Sequence, residues 1–283
     1  GHGRHGKLRN PDINGRAHSA PLRGRAMNIF APIGRVCLTF LAQTGRLVVF
    51  TLNALTSCVR LPIYWWLIGQ QMMRIGYFSL PVVGLTAFFT GGALALQIYV
   101  GSNRFGAESF VPNIVVLGIT RELGPVIAGL MFAGRVAAAI AAEIGTMRVT
   151  EQIDALTTLS TNPVKYLVVP RLVAAVVTLP LLVLVADAIG VFGGYVVSTE
   201  SLNFNGAVYV KNTVDFVTRG DVTSGVIKAA AFGFIIALMG CYNGFHSRGG
   251  AQGVGAATTN AVVSSSILVL AANYFLTSIL FQR

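Results

Sequence analysis

The chain has 283 residues, of which 54% are hydrophobic and only 11% are charged. Because about a quarter of the residues in an ordinary soluble domain are charged, this composition excludes a soluble globular protein and indicates an integral membrane protein. The formal net charge of +11 is concentrated near the N-terminus, since ten of the 21 Lys and Arg residues precede Phe78, against the single acid Asp12.

This basic excess predicts that the N-terminal region lies in the cytoplasm, following the positive-inside rule. Attraction to anionic lipid headgroups accounts for the basic residues in a chain this apolar, so we expect no nucleic-acid partner. Residues 1–26 are rich in Gly, His, Arg and Pro and are predicted to form a disordered basic tail.

Residues 27–77 are predicted to form an amphipathic interfacial helix region. On a helix, Arg35, Arg46, Arg60 and Arg74 fall within about 80° of one face, with mostly apolar residues around the rest. We expect this region to lie along the cytoplasmic interface of the membrane, with the aromatic residues at 64–66 at headgroup level.

Residues 78–283 are predicted to form a domain of five transmembrane helices. Each apolar stretch is long enough to cross a hydrocarbon core of about 30 Å. The predicted crossings are residues 78–100, 111–142, 166–197, 222–245 and 255–282. Five crossings that start inside place the C-terminus outside the cytoplasm, the acid-rich loop 198–221 outside and the polar segment 143–171 inside.

The polar segment between the second and third crossings is predicted to contain a short cytoplasmic helix, at about residues 148–162. Thr150 is expected to cap its N-terminus, with Glu151 in the first turn, and Asn162 and Pro163 are expected to end it. From the residues alone, this helix is either a solvated loop helix or a docking helix for a cytoplasmic partner.

Ionisable residues within the predicted crossings are candidate functional residues, because an unpaired charge there costs a few kcal/mol. Glu122, followed by Gly124 and Pro125, indicates either a kink that lines a cavity or a simple Arg121–Glu122 pair that fixes helix tilt. Lys228 and Asp187 are expected either to pair with each other or to line a cavity.

Motifs for chemistry on this chain are not found in the sequence. The glycine run at 249–255 lacks the Lys-Ser/Thr of a phosphate-binding loop, so it is interpreted as a turn into the fifth helix. No metal-ligand cluster or catalytic triad is apparent, and the three cysteines indicate neither a disulfide framework nor a metal site. We therefore predict a non-enzymatic membrane subunit without metal or cofactor.

Several strings of residues, in order along the chain, resemble the MlaE/YrbE permease family. They are RELGPVIAG at 121–129, AGR at 133–135, AAEIGTMRVTEQIDAL at 141–156, NPVKYLVVPR at 162–171 and GGAQGVGAATTNAVV at 249–263. The resemblance extends from about residue 29 to the C-terminus. It departs at Ala137-Ala138 and Ser160-Thr161, where small or polar character is kept.

The resemblance implies the transmembrane subunit of an ABC transporter that moves phospholipids between the inner and outer membranes. It implies a homodimer in the bacterial inner membrane, N-terminus cytoplasmic and C-terminus periplasmic, bound to two ATPase subunits that carry ATP and Mg. An MCE-domain protein is expected on the outer side, and possibly a STAS-domain protein on the ATPase.

The same resemblance implies roles for particular residues. Those implied for the lipid path are Leu96, Tyr99, Arg121, Glu122 and Lys228. Those implied for ATPase coupling are Glu151, Gln152, Asp154 and Leu156.

The full predicted fold class is an all-α integral membrane protein with an N-terminal interfacial amphipathic helix, five transmembrane helices and a cytoplasmic coupling helix between the second and third. Three alternatives to phospholipid transport stay open. The first is an ion-coupled secondary transporter with Glu122 and Asp187 as proton sites, although no internal repeat supports it. The second is an importer of sterol or other hydrophobic substrates, and the third is a structural scaffold.

Overall fold

The structure, a computed structural model, describes residues 30–59, 64–104 and 106–281. Throughout these ranges the regular elements are helical, which confirms the predicted all-α class. The α-helices are α1 (Phe30–Val59), α2 (Trp65–Gly76), α3 (Leu80–Asn103), α4 (Val111–Gly118), α5 (Gly124–Phe132), α6 (Ala138–Val149), α7 (Gln152–Thr158), α8 (Val169–Glu200), α9 (Gly206–Phe216), α10 (Arg219–Phe245) and α11 (Gly250–Phe281).

Five helical stretches are long and apolar enough to span a membrane, as predicted. In chain order, these spans 1 to 5 are Trp65–Asn103, Glu108–Val149, Val164–Glu200, Arg219–Phe245 and Gly250–Leu280. Span 1 begins before the predicted crossing, because α2 passes through a 3₁₀ turn at Tyr77–Ser79 directly into α3. The exposed rings of Trp65 and Trp66 at its start suit an interfacial position.

The described part of the chain divides into two compact units, one up to Gly45 and one from Arg46 onwards. The first contains the beginning of α1, whose side chains at Leu38 and Leu41 are exposed. In the second, Phe50 is buried with its ring 5.6 Å from that of Tyr242. The predicted tail, residues 1–26, and Arg60 lie outside the described residues.

Helix α8 forms the centre of the second unit, packing against α2, α3 and α10, while α10 also packs against α6 and α11. Gly240 and Gly244 allow the close approach of α10 to α6. A Cβ at Gly244 would lie 2.9 Å from the Cβ of Ile144 and 3.1 Å from the carbonyl oxygen of Ala141. The glycine spacing therefore packs these two helices together, a pairing that the sequence did not reveal.

Three π-helical segments, in which backbone bonds run from residue i to i+5, interrupt the spans. They are Ile119–Leu123 and Ala133–Ala137 in span 2 and Val164–Val168 at the start of span 3. Such segments place backbone carbonyls out of register with the next turn and often mark functional positions.

The segment between spans 2 and 3 differs from the prediction at its start. Helix α6 continues to Val149, and the hydroxyl of Thr150 donates back to the carbonyl of Thr146 at 2.9 Å. The expectation that Thr150 caps the next helix is therefore wrong. Glu151, in the left-handed region with φ 60°, stands at the N-cap position of α7. Helix α7 ends at Thr158, before the expected end at Asn162 and Pro163. The side chain of Asn162 instead accepts the N–H of Val164, at the start of the next helical segment, at 3.0 Å.

The loop between spans 3 and 4 contains a helix, α9, that the sequence did not predict. Its N-cap Asn205 accepts the backbone N–H of Ala207 at 3.0 Å. Tyr209 and Thr213, one turn apart, are buried against the rest of the chain. The predicted glycine-rich turn is confirmed at Gly249 and Gly250, which both adopt positive φ, and α11 starts there rather than at residue 255.

Candidate functional site

The site is built around a break in span 2, where the π-helical segment Ile119–Leu123 precedes Gly124 and Pro125. Proline has no backbone N–H, so Pro125 cannot donate to the carbonyl of Arg121 as a helical residue would. The N–H of Gly124 donates instead to the carbonyl of Ile119. The Arg121 carbonyl accepts a hydrogen bond from the Nζ of Lys228 on α10, at 2.8 Å.

Lys228 is completely buried and its charge is compensated within the protein. Its side chain is 0% exposed, and its Nζ lies 2.8 Å from Oε1 of Glu122. A buried ammonium group is tolerated only when it is paired and hydrogen-bonded. The carboxylate of Glu122 and the carbonyl of Arg121 meet that requirement together.

Glu122 joins three spans through its two carboxylate oxygens. Its Oε1 accepts from Lys228 and, at 2.9 Å, from the hydroxyl of Thr277. Its Oε2 accepts from the amide nitrogen of Asn273 at 2.9 Å. The Glu122 side chain is nevertheless 39% exposed, so part of the carboxylate side chain is accessible from the surface of the subunit.

Arg121 is held by a different acid, Asp221, at the start of α10. The guanidinium Nε donates to Oδ1 of Asp221 at 2.6 Å, while Oδ2 accepts the backbone N–H of Thr218 at 3.0 Å in a capping box. The Asp221 side chain is 3% exposed and that of Arg121 38% exposed. We call these residues the Glu122 cluster; its members are Arg121, Glu122, Asp221, Lys228, Asn273 and Thr277.

These contacts differ from two pairings that the sequence left open. Arg121 pairs with Asp221 instead of Glu122, because successive residues on a helix point about 100° apart. Lys228 pairs with Glu122 instead of Asp187. The remaining members of the cluster were missed; the capping pattern of Thr218 and Asp221 was a readable signal for one of them.

Asp187 lies on α8, buried against the glycines of two neighbouring spans. Its Oδ1 has no hydrogen-bond partner among the described residues. A Cβ at Gly124 would overlap this oxygen, and a Cβ at Gly225 would lie 4.0 Å from Oδ2. Asp187 is thus enclosed by the helices, whereas Glu122 is partly exposed.

Leu96 and Tyr99 lie at the far end of α3, beside α4. Leu96 is 42% exposed, and the ring of Tyr99 meets that of Phe204 edge-on at 5.9 Å. Tyr99 packs on a small apolar core that includes Ile119, just before Arg121. Tyr99 therefore adjoins the helix that carries Arg121 and Glu122, whereas Leu96 is exposed on α3.

Of the residues predicted for ATPase coupling, three are exposed on α7 and the turn before it: Glu151, Gln152 and Asp154. Asp154 pairs with Arg148 at 2.6 Å. Leu156 is half-buried against the core. Leu159, which the sequence did not single out, is 74% exposed just after α7. This surface combines acids with one apolar side chain.

Within the described ranges, no group of three or more His, Cys, Asp or Glu residues is arranged to hold a metal ion. The groups of the Glu122 cluster can orient and balance an ionic ligand by charge and hydrogen bonding.

Comparison with known proteins gives one family, Permease MlaE, whose sequence profile matches residues 68–279. A probable ABC transporter permease protein of Rickettsia bellii is 54% identical over 256 residues, covering 90% of this chain and 99% of the relative. The intermembrane phospholipid transport system permease protein MlaE of Haemophilus influenzae is 32% identical over 258 residues, covering 90% and 98%. The Arabidopsis thaliana chloroplastic protein TRIGALACTOSYLDIACYLGLYCEROL 1 is 36% identical over 220 residues, covering 78% and 63%.

Proposed function

Because the chain belongs to the MlaE family of ABC transporter permeases, we propose that it moves phospholipids between the inner and outer membranes. A separate ATPase supplies the energy, since the permease itself is a non-catalytic membrane subunit. The phospholipid cargo is supported by the similarity to the intermembrane phospholipid transport system permease protein of Haemophilus influenzae.

The observation that carries this proposal is the balance of charge in the Glu122 cluster. Arg121 and Lys228 are cationic, Glu122 and Asp221 are anionic, and all four are engaged with one another in two pairs. A lipid phosphate that reaches the half-exposed Arg121 gains a charge-assisted hydrogen bond. The nearby carboxylates compete for that bond, so the phosphate is held and then released. Leu96 and Tyr99 offer apolar contact for acyl chains.

A homodimer is proposed from the exposure of span 5. In the most apolar stretch of span 5, only 11% of the residues are buried, compared with 33–56% in the corresponding stretches of the other four spans. One part of α11 carries Asn273 and Thr277, which bind Glu122. Its exposed side chains include Ile267, Tyr274 and Ile279. A second copy that packs on α11 would bring the two Glu122 clusters near the subunit interface.

Two ATPase subunits are proposed to dock on the homodimer, one at the α7 helix of each copy. Its exposed acids and Leu159 form a small surface that a groove on a soluble partner could accept. ATP and Mg are held by that partner. A STAS-domain protein is proposed to bind the ATPase, as the family resemblance implies.

An MCE-domain protein is proposed to assemble on the opposite side, against α9. This helix exposes Val208, Val210, Val214 and Phe216, an apolar surface on a chain segment that we assign to the periplasm. The membrane is the bacterial inner membrane, with the N-terminus cytoplasmic and the C-terminus periplasmic.

The test is mass spectrometry of lipids retained by the purified transporter complex. Phospholipids should be enriched over the composition of the membrane, and Arg121→Gln should lower that enrichment. Arg104→Gln, which removes a charge at the far end of α3 instead, serves as the matched control. Enrichment of sterol or another neutral lipid, unaffected by Arg121→Gln, would favour the alternative hydrophobic cargo and contradict the proposal.

A further inference from the structure

A second charged cluster lies at the other end of span 2. Glu143 on α6 accepts from Arg74 at 3.0 Å and from Arg171 at 3.0 Å, through separate oxygens. The Arg171 side chain is only 6% exposed, and its Nη1 donates to the carbonyl of Leu167 at 2.6 Å. Its buried Nε has no hydrogen-bond partner among the described residues. This leaves a buried cationic group with an unused donor.

Two adjoining cavities open beside this cluster, with volumes of about 300 and 240 Å³. They share Gln71, Arg74 and Glu143 as lining residues. Arg135 lines the larger cavity and Arg171 the smaller one. We call the combined space the three-arginine cavity.

The charge of this cavity is unbalanced, in contrast to that of the Glu122 cluster. Three guanidinium groups face one carboxylate, which leaves a net charge of about +2 for an occupant to neutralise. Arg135 lies 5.7 Å above the ring of Phe78 and forms no ion pair within the described ranges. A phosphate bound in the larger cavity would pair with Arg135 and Arg74, which both line it.

The lining is also amphipathic, which indicates a lipid rather than a free anion. Apolar side chains stand beside the charged ones in both cavities: Ile75, Val136 and Ile140 line the larger one, and Leu67 and Met147 line the smaller one. A phosphate ion has no apolar surface to bury against these side chains. A diacyl lipid can bury its glycerol and upper acyl chains against them.

We propose that the three-arginine cavity binds the phosphate of an anionic phospholipid from the leaflet on the α7 side of the membrane. Glu143 follows Glu122 by 21 residues, which corresponds to roughly 30 Å of helix. The cavity is therefore a separate site from the Glu122 cluster, and its ligand is independent of the cargo proposed above. Glu143 holds Arg74 and Arg171 at the cavity lining through its two ion pairs.

Native mass spectrometry of the purified transporter complex, titrated with phosphatidylglycerol or phosphatidylcholine, tests this site. The wild type should bind phosphatidylglycerol more tightly than phosphatidylcholine. Arg135→Gln should weaken phosphatidylglycerol binding by on the order of tenfold, because one charge-assisted contact is lost. Arg135→Lys should lose less, since it keeps the charge.

Arg248→Gln is the matched control, because Arg248 is exposed on the same side of the membrane and outside the cavity. It should leave phosphatidylglycerol binding unchanged. Equal affinity for both lipids, or an equal loss in Arg248→Gln, would overturn the proposal. Competition by inorganic phosphate at similar concentration would show that the anion alone is recognised, and it would overturn the proposal of a lipid ligand. If Arg135→Gln changes the proportion of dimer but leaves lipid binding unchanged, a second copy of the chain covers the cavity. That result would also overturn the proposal.

Discussion

A single proline explains how the protein keeps a lysine fully buried within a membrane span. Because Pro125 has no N–H, the carbonyl of Arg121 is available to Lys228. The ammonium group thus receives a neutral acceptor in addition to the Glu122 carboxylate. Replacing one partner of such a pair usually costs more than the pair contributes, because the other charge stays buried.

The first prediction concerns Glu122. Glu122→Gln should keep the fold, because the amide oxygen can still accept from Lys228 and Thr277, and the unsatisfied Oδ1 of Asn273 can turn to accept from the new amide. Because the competing negative charge is lost, Arg121 should hold the lipid phosphate longer. Transport should therefore be roughly tenfold slower. The measurement is retained lipid together with transport between donor and acceptor membranes.

Glu122→Arg should be more severe, because it places a second cation against Lys228. In the fraction of the complex that still folds despite the unpaired Lys228, we expect ATPase binding to survive and the outer-membrane barrier function to be lost. If Glu122→Arg supports normal transport in a well-expressed complex, Glu122 serves only as an anchor, and the lipid path would have to be sought elsewhere.

The second prediction concerns Gly124, whose Cα faces the buried carboxyl of Asp187. Gly124→Ala should destabilise the protein by about 1–3 kcal/mol, because the added methyl group overlaps Asp187 and overpacks the contact between spans 2 and 3. The thermal midpoint in detergent should fall accordingly. Gly134→Ala, where nothing lies within 4 Å of the new Cβ, should leave it unchanged or slightly raised; a similar fall in both variants would contradict the explanation.

At the level of helices, the apolar runs predicted all five spans, because hydrocarbon thickness fixes their length and composition. The ends were less predictable. Helix α6 continues through Glu143, whose charge is neutralised by Arg74 and Arg171. Neither partner is near in sequence, so the stretch from residue 143 reads as a loop although it is a helix.

The candidate site was predictable as a set of residues but not as an arrangement. The rarity of charge in a membrane singled out Arg121, Glu122 and Lys228. Their partners depend on which helix faces overlap, and the π-helical segment at Ile119–Leu123 rotates the following turn. The spacing of apolar residues in a single sequence does not indicate that rotation. Asn273 and Thr277 are uncharged and one turn apart, so they resembled ordinary polar residues in a span.

The third prediction concerns α7 as a docking element. Glu151→Lys should weaken ATPase association by on the order of tenfold, because it reverses an exposed charge on the proposed contact surface. Glu151→Gly should have a smaller effect, since glycine tolerates the left-handed backbone at this position and removes the charge without reversing it. Association is measured by copurification and by ATP hydrolysis in the reconstituted complex.

Glu200→Lys provides the control for this series, because Glu200 is exposed at the other end of span 3. It should leave association unchanged. Normal ATPase binding and coupling in Glu151→Lys would reject α7 as the docking element.

Across the whole molecule, span 2 connects two ionic sites of different character. The Glu122 cluster is charge-balanced and joined to spans 4 and 5, whereas the cluster at Glu143 is cationic and joined to spans 1 and 3. A change in the relative tilt of these spans would therefore alter the contacts of both clusters. Helix α7 follows span 2 directly in the chain, beyond the end that carries Glu143.

The last prediction is the orientation of the chain, which fixes the side of each site. The basic N-terminal region and the odd number of spans predict α7 in the cytoplasm and the end of α8 outside. Single cysteines at Thr157 and Ser201, both exposed, should therefore react with a membrane-impermeant maleimide from opposite sides. Cys37 and the half-buried Cys58 are first replaced by serine, and the fully buried Cys241 by alanine, which adds no unpaired hydroxyl to the core. In intact cells whose outer membrane admits the reagent, Ser201→Cys should be labelled and Thr157→Cys only after the inner membrane is opened. Labelling of both positions in intact cells would contradict this orientation, and with it the assignment of α7 to the ATPase.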